Sequence, residues 1–246
     1  DTGYQIKTVL VDGQPVELDE NNCYHFISIS RAHNIIALFA KTTNEAYYNW
    51  TNSFTDISKN DWFYESVRYT ASAQLFIGTE TTVFSPDDAM TREMIVTVLW
   101  RLAGSPVVPD ENKISFRDVS TDSYAYEAIR WASMFNIIEG YGDGTFGYGD
   151  PILREQLVTI LFRFARNYVG VDVSLADSTN ILGYSDVLQI SQGMAQPFQW
   201  AVGAKIIYGT SRTTLEPRGM ATRAQVAAVF QRFSTNFMDK IPIFKT

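Results

Sequence analysis

An α+β chain that is mainly α, with three helix-loop-helix repeats behind a small N-terminal β segment, is the fold the sequence predicts. Three observations lead there: a long segment recurs in order, apolar residues inside each copy recur at helical spacing, and only residues 3 to 41 carry the short apolar runs of strands.

In the β segment, placed at residues 1–50, the apolar runs are Tyr4, Ile6, Val9 and Val11, then Tyr24, Phe26, Ile27 and Ile29, then Ile35, Ile36, Leu38 and Phe39. They predict three short strands with a tight turn at Asp12-Gly13. A sheet of this size is marginal alone, so it is expected to dock on the repeats, to pair with another copy, or to be the remainder of a domain cut upstream.

The repeats follow at 51–105, 112–170 and 182–237. Set against one another without a gap, the first two copies place Phe54 on Phe116, Trp62 on Tyr124, Tyr69 on Trp131, Gly78 on Gly140 and Arg92 on Arg154. The third copy starts at Tyr184 and takes one extra residue before Trp200, after which Gly209 and Arg223 fall into step. Each copy reads as helix, loop, helix. In copy two, Ala125, Ala128, Ile129 and Ala132 form the buried stripe of a first helix, which the glycine is expected to end. A second stripe at Leu157, Ile160, Leu161 and Phe164 has counterparts at Ile95, Val98, Leu99, Leu102 and at Val226, Val229, Phe230, Phe233. Thr91 and Thr222 are expected N-caps, and Pro86, Pro151 and Pro217 keep the preceding loops out of helical geometry. A helix pair this small cannot cover both stripes, so the copies are expected to pack together, either stacked or around a pseudo-threefold axis.

Composition narrows the function. With 46% hydrophobic residues the chain can bury a real core, and a formal net charge of −7 argues against nucleic acid, whose recognition needs a basic footprint. One cysteine, Cys23, with His25 and His33 makes neither a disulfide framework nor a zinc set, so no metal or cofactor is expected. No apolar run approaches the roughly 20 residues that span a bilayer. The start, Asp1-Thr2-Gly3, is no signal peptide, and the chain is expected to be a mature fragment of a longer protein. No nucleophile and base recur together in the repeats, so an enzyme is not expected and no residue is assigned a catalytic role.

The phrases "GYGDGTFGYGDPILREQL", "FRDVSTDSYAYEAIRWA" and "ATRAQVAAVFQRF" closely resemble the S-layer homology family, over residues 54 to about 236. The resemblance implies a three-lobed helical spindle, secreted to the bacterial cell surface, that anchors a protein by binding a secondary cell-wall polymer, often pyruvylated, in grooves between lobes. The rival reading is a structural self-association module of a surface protein or S-layer. Residues 4 to 39 more weakly resemble the C-terminal half of a small β repeat of exported bacterial proteins.

Carried over residue by residue, the family's helix-start arginine falls on Arg92, Arg154 and Arg223, and its loop Gly-Tyr falls on Gly78-Thr79, Gly140-Tyr141 and Gly209-Thr210. Copy two alone has the full loop with Asp143, yet holds Leu153 where the family has threonine, so the three grooves are expected to differ in competence. An arginine in the first helical turn presenting its planar fork outward suits a carboxylate such as a pyruvyl ketal. Trp131, Trp200 and Tyr141 offer faces for stacking on sugar rings, although the two tryptophans also sit near the apolar stripe of a core. A second recurring arginine, at Arg101, Arg163 and Arg232, is expected to brace neighbouring repeats.

Overall fold

The first element, strand β1 (Tyr4–Val11), pairs antiparallel with β2 (Gln14–Val16) on one side and β3 (Ile35–Lys41) on the other. Val11 stands opposite Gln14, leaving two residues between the strands, and Asp12 takes φ +51°, the left-handed geometry of the hairpin turn expected there. Val9 and Val11 share the buried face. The expected strand at Tyr24–Ile29 is corrected only over its first three residues. Residues 24–26 carry no strand, and positions 27–30 lie outside the described residues. Gln14–Val16 is the third strand instead, because a two-residue turn folds the chain back onto itself at the smallest loop-closure cost. This computed structural model describes residues 4–12, 14–17, 19, 24–26, 33, 35–41, 47, 49–109, 114 and 116–237.

Two helices form in each repeat: α1 (Tyr64–Ser72) and α2 (Arg92–Leu102), α3 (Tyr126–Met134) and α4 (Arg154–Arg163), then α6 (Ala195–Gly203) and α7 (Arg223–Phe237). The short α5 (Leu175–Ser178) lies in the second linker. Every residue of the three second-helix stripes is buried, as are Ala125, Ala128, Ile129 and Ala132. The expected end of the first helix is corrected: α3 stops well before Gly140, at a left-handed Asn136 (φ +51°), and Ile137 N–H donates back to Ala132 O at 2.8 Å. Gln74 and Lys205 hold the same left-handed place in the other copies, at φ +56° and +57°. Turn geometry, not glycine, closes these helices.

The capping expectation divides by copy. Thr222 Oγ1 accepts from Gln225 N–H at 3.4 Å while Gln225 Oε1 accepts from Thr222 N–H at 3.3 Å, a reciprocal box. Leu153 has no acceptor, so only the Gln156 half forms there, and Thr91 makes no cap bond at all.

The repeats close on one another. Met90 N–H donates to Ala221 O at 3.0 Å, Ala221 N–H to Ile152 O at 3.0 Å, and Ile152 N–H to Met90 O at 2.8 Å. Three equivalent residues thus form a cycle of backbone hydrogen bonds in which no repeat is terminal. Around it, α2 packs on α3, α4 on α6, and α7 returns to α1. An open stack lacks that last contact. Aromatic rings cross the boundaries: Phe162 lies 5.6 Å from Trp200, Phe164 lies 5.6 Å from Phe233, and Phe76 lies 6.1 Å from Phe230. One shared core results.

Candidate functional site: the clefts between repeats

Each junction between repeats joins the second-helix start of one repeat to the loop of the next. The loop is built on an aspartate eight or nine residues before the first helix of each repeat, Asp56, Asp118 or Asp186, which in copy two stands in the phrase beginning FRDV and was given no role from sequence. Asp118 accepts from Phe146, Gly147 and Tyr148 N–H at 2.8, 2.8 and 2.9 Å. Asp56 receives Phe84 and Ser85, and Asp186 receives Leu215 and Glu216, in the same way. Its recurrence in all three copies was the available signal. The glycines are required for space: a Cβ on Gly140 would meet Thr145 O at 2.3 Å and the Phe116 ring at 2.7 Å, and Gly78 and Gly209 are as tightly enclosed. Beyond them Thr79, Tyr141 and Thr210 each donate N–H to the residue four further on, at 2.9 Å, so all three loops close alike despite their different sequences.

The helix-start arginines sit at these junctions, but their outward presentation is corrected. Arg92, Arg154 and Arg223 are only 5, 5 and 7% exposed. Arg92 donates from Nε to Phe146 O at 2.9 Å and from Nη2 to Glu139 O at 3.0 Å. Arg154 does the same to Leu215 O and Tyr208 O, and Arg223 to Phe84 O and Ile77 O. Each fork therefore grips two carbonyls of the next repeat's loop, with repeat three gripping repeat one. Burial lowers the pKa of all three, partly offset for Arg92 by Tyr141 and Asp150, for Arg154 by Glu216 and Asp186, and for Arg223 by Asp88 and Asp56. They remain cations, since arginine does not deprotonate in proteins.

The second arginine set is corrected as well: Arg101 donates to Leu75 O and Arg163 to Glu139 Oε2, each within its own repeat. Trp131 and Trp200 are 1% exposed, so neither face is open to a sugar. Trp131 packs on Phe164 and Tyr168, and Trp200 on Phe162 and Phe233. The stripe that made them core residues decides their role.

The side chains that remain open at these junctions differ between copies. Tyr141 is 50% exposed, donates its hydroxyl to Asp150 at 2.9 Å, and lies with its ring 5.0 Å from the Arg92 guanidinium. Burial and the Asp150 bond raise its pKa, against the pull of Arg92. Tyr124, 58% exposed, is pushed up to about 12 by desolvation and by Glu93 of the preceding repeat. Thr79 and Thr210 stand where Tyr141 stands, bonded within their own loops. Asp143 is exposed at the loop tip, caps Thr145 N–H at 2.9 Å and pairs with Arg117 at 3.2 Å. Cys23 lies outside the described residues, and His25 and His33 lie against Asp19 and Asp12 in the β segment.

Asp118 gives a pH signature. Burial alone would raise its pKa, but the backbone donors of Tyr148, Phe146 and Gly147 outweigh it and hold the pKa below the ordinary carboxylate value. A depressed folded pKa stabilises above the unfolded value, about 4, and that contribution is lost as pH falls through the folded pKa. Denaturant melts of Asp118→Asn and wild type should therefore differ most at neutral pH and converge below about pH 4. A gap that stays constant with pH would contradict the assignment.

With this geometry in view, residues 53–93, 115–158 and 183–227 each match the S-layer homology domain, together more than half of the chain. The chain belongs to the S-layer homology domain family. S-layer homology repeats are wall-anchoring modules of the cell surface, and no helix among the described residues is long and apolar enough to cross a membrane. The chain is 27% identical to an endoglucanase of a Bacillus species over 194 residues, which is 79% of this chain and 20% of that protein. It is 27% identical to an amylopullulanase of Thermoanaerobacterium thermosulfurigenes over 185 residues, 75% of this chain and 10% of that one. A cellulosome-anchoring protein of Acetivibrio thermocellus is 26% identical over 157 residues, 61% of this chain and 33% of that protein. The chain spans a third or less of the length of these relatives.

Proposed function

We propose that this S-layer homology chain is a non-catalytic anchor that holds a larger protein on a secondary cell-wall polysaccharide, bound in the clefts between repeats of a pseudo-threefold spindle. Its lobes take the limits 51–105, 112–170 and 182–237. The observation that carries this reading is the exposed Tyr141 held by Asp150 beside Arg92, at the seam of repeats one and two. An aromatic face fixed by a hydrogen bond stacks on a sugar ring with little entropy loss. In this reading Tyr141, Thr79 and Thr210 touch polymer and Asp143 lies at the rim. The arginines and glycines hold the loops in place, and the arginine N–H groups not bonded to carbonyls supply positive potential for a carboxylate such as a pyruvyl ketal. The matched relatives fit it, since one is named a cellulosome-anchoring protein and two are named as polysaccharide-acting enzymes far longer than this chain.

Co-sedimentation with purified cell walls tests it. Tyr141→Ala should keep the wild-type melting temperature and bind roughly tenfold more weakly, the usual loss for a well-placed aromatic contact. Undiminished binding by that variant rejects this cleft as the polymer site. If the wild type ignores walls but sediments alone as an oligomer, self-association replaces anchoring.

A further inference from the structure

The position held by Arg101, Arg163 and Arg232 is spent differently in each repeat, and in the third it borders an open cavity. Arg163 is neutralised by Glu139 at 2.8 Å. At the equivalent of Glu139, repeat one carries Ile77 and repeat three carries Tyr208, whose ring lies 4.5 Å from the Arg232 guanidinium. The left-handed residue after the first helix is Gln74 and Asn136 in the first two repeats but Lys205 in the third. On the second helix, Trp100 and Phe162 give way to Gln231, a smaller polar wall.

These substitutions coincide with a cavity of about 370 Å³ bounded by Lys205, Tyr208, Gln231, Arg232, Thr235 and Asn236, together with the backbone at Gly203 and Ala204. Among the described residues, two cations line it and no carboxylate does. Two of its polar side chains are held by hydrogen bonds. Gln231 Oε1 accepts from Ser66 Oγ at 2.7 Å, which turns its amide NH2 away from that contact, and Asn236 Nδ2 donates to Ala204 O at 2.8 Å, which leaves its carbonyl as an acceptor. Arg232 makes one long bond, 3.4 Å, to Ile206 O. An arginine fork beside a lysine, with an exposed tyrosine ring as floor, is suited to an oxyanion carried on a sugar: the fork and ammonium take the charge, the amides and hydroxyl take ring hydroxyls, and the ring takes the apolar face.

We propose that this pocket in repeat three is a second saccharide site, selective for a single sugar residue bearing a carboxylate or a phosphate. It shares no residue with the cleft at Tyr141 and does not depend on that cleft being the polymer site. It adds a point of attachment to one chain, and two linked weak sites bind a polymer more tightly than either alone.

The test is titration of the whole chain, by calorimetry and by amide chemical shifts, with methyl glucuronide, glucose 6-phosphate and the neutral methyl glucoside. Either acidic sugar should bind and shift the amides at 203–208 and 231–236, whereas the neutral sugar should bind at least about tenfold more weakly. Binding of glucuronide alone assigns a carboxylate polymer, and of the phosphate alone a phosphorylated one. Arg232→Gln should lower affinity about tenfold and Lys205→Gln less, with Arg101→Gln in repeat one as a control without effect. If Arg232→Gln lowers the melting temperature, Lys205→Gln with Tyr208→Ala takes its place, since both side chains are exposed. Equal binding of neutral and acidic sugars, shifts located elsewhere, or full affinity in these variants overturns the proposal. Tyr141→Ala should leave this binding intact, which separates its failure from that of the cleft.

Discussion

Arg154→Ala is expected to destabilise the whole chain, not one repeat, by about 3 kcal/mol. Two charge-assisted hydrogen bonds, each worth about 1.5–3 kcal/mol, are lost, while the released desolvation of a buried guanidinium offsets part of the loss. The carbonyls of Leu215 and Tyr208 lose their donors at the junction of repeats two and three. At this chain length the melting temperature should fall by roughly 6–12 °C. Arg154→Lys should recover only part, because one ammonium cannot span two carbonyls held in the geometry of a fork. Scanning calorimetry resolves the outcome: a single transition moved downward supports a shared core, whereas an unchanged midpoint would show the fork to be dispensable. The expectation from sequence that this arginine presents its fork outward assumed an exposed helix start, and at 5% exposure that premise fails.

A second large effect is expected when a repeat is isolated. Residues 112–170 alone should show little cooperative melting, although they contain α3 and α4 entire. The reason is that α3 is covered by α2, α4 is covered by α6, and the rings of Phe162 and Phe164 rest on Trp200 and Phe233 of the third repeat. Removing the partners exposes those apolar faces and strips Ile152 of both its partners in the backbone cycle, Met90 O and Ala221 N–H. A stripe that burial no longer stabilises leaves short helices, which are marginal in water. Circular dichroism of the fragment should give a broad, weak transition, and a sharp melt at the temperature of the whole chain would show three independent beads.

Much of this architecture is legible in the sequence because it is local. Stripes at Ile95, Val98, Leu99 and Leu102 and at their counterparts follow from helical period, and the turn at Asp12-Gly13 follows from a dipeptide that tolerates left-handed geometry. What was not legible is non-local. Nothing near Arg223 announces that its fork ends on Phe84 O, well over a hundred positions earlier in the chain, or that repeat three closes on repeat one. For the same reason the two arginine series exchanged roles: the helix-start set braces neighbours, while Arg101 and Arg163 act within their own repeats. The aspartates at 56, 118 and 186 recur as plainly as the arginines, but an acid in a loop motif reads as solvated until its two or three backbone donors are seen. Tyr141 was found from sequence because it stands beside a recurring glycine, and its partner Asp150 was not, because the pairing depends on how the loop folds back.

The measurement that bears most directly on the central claim is a calorimetric titration of the intact chain with purified secondary cell-wall polymer, before and after its acidic substituents are chemically removed. A wall anchor with cationic clefts on an otherwise acidic protein should bind the native polymer saturably, lose at least about tenfold in affinity when the acid groups are gone, and weaken only modestly in high salt, because the attraction is local. Equal affinity for both forms of the polymer, or no heat of binding with either, would contradict it.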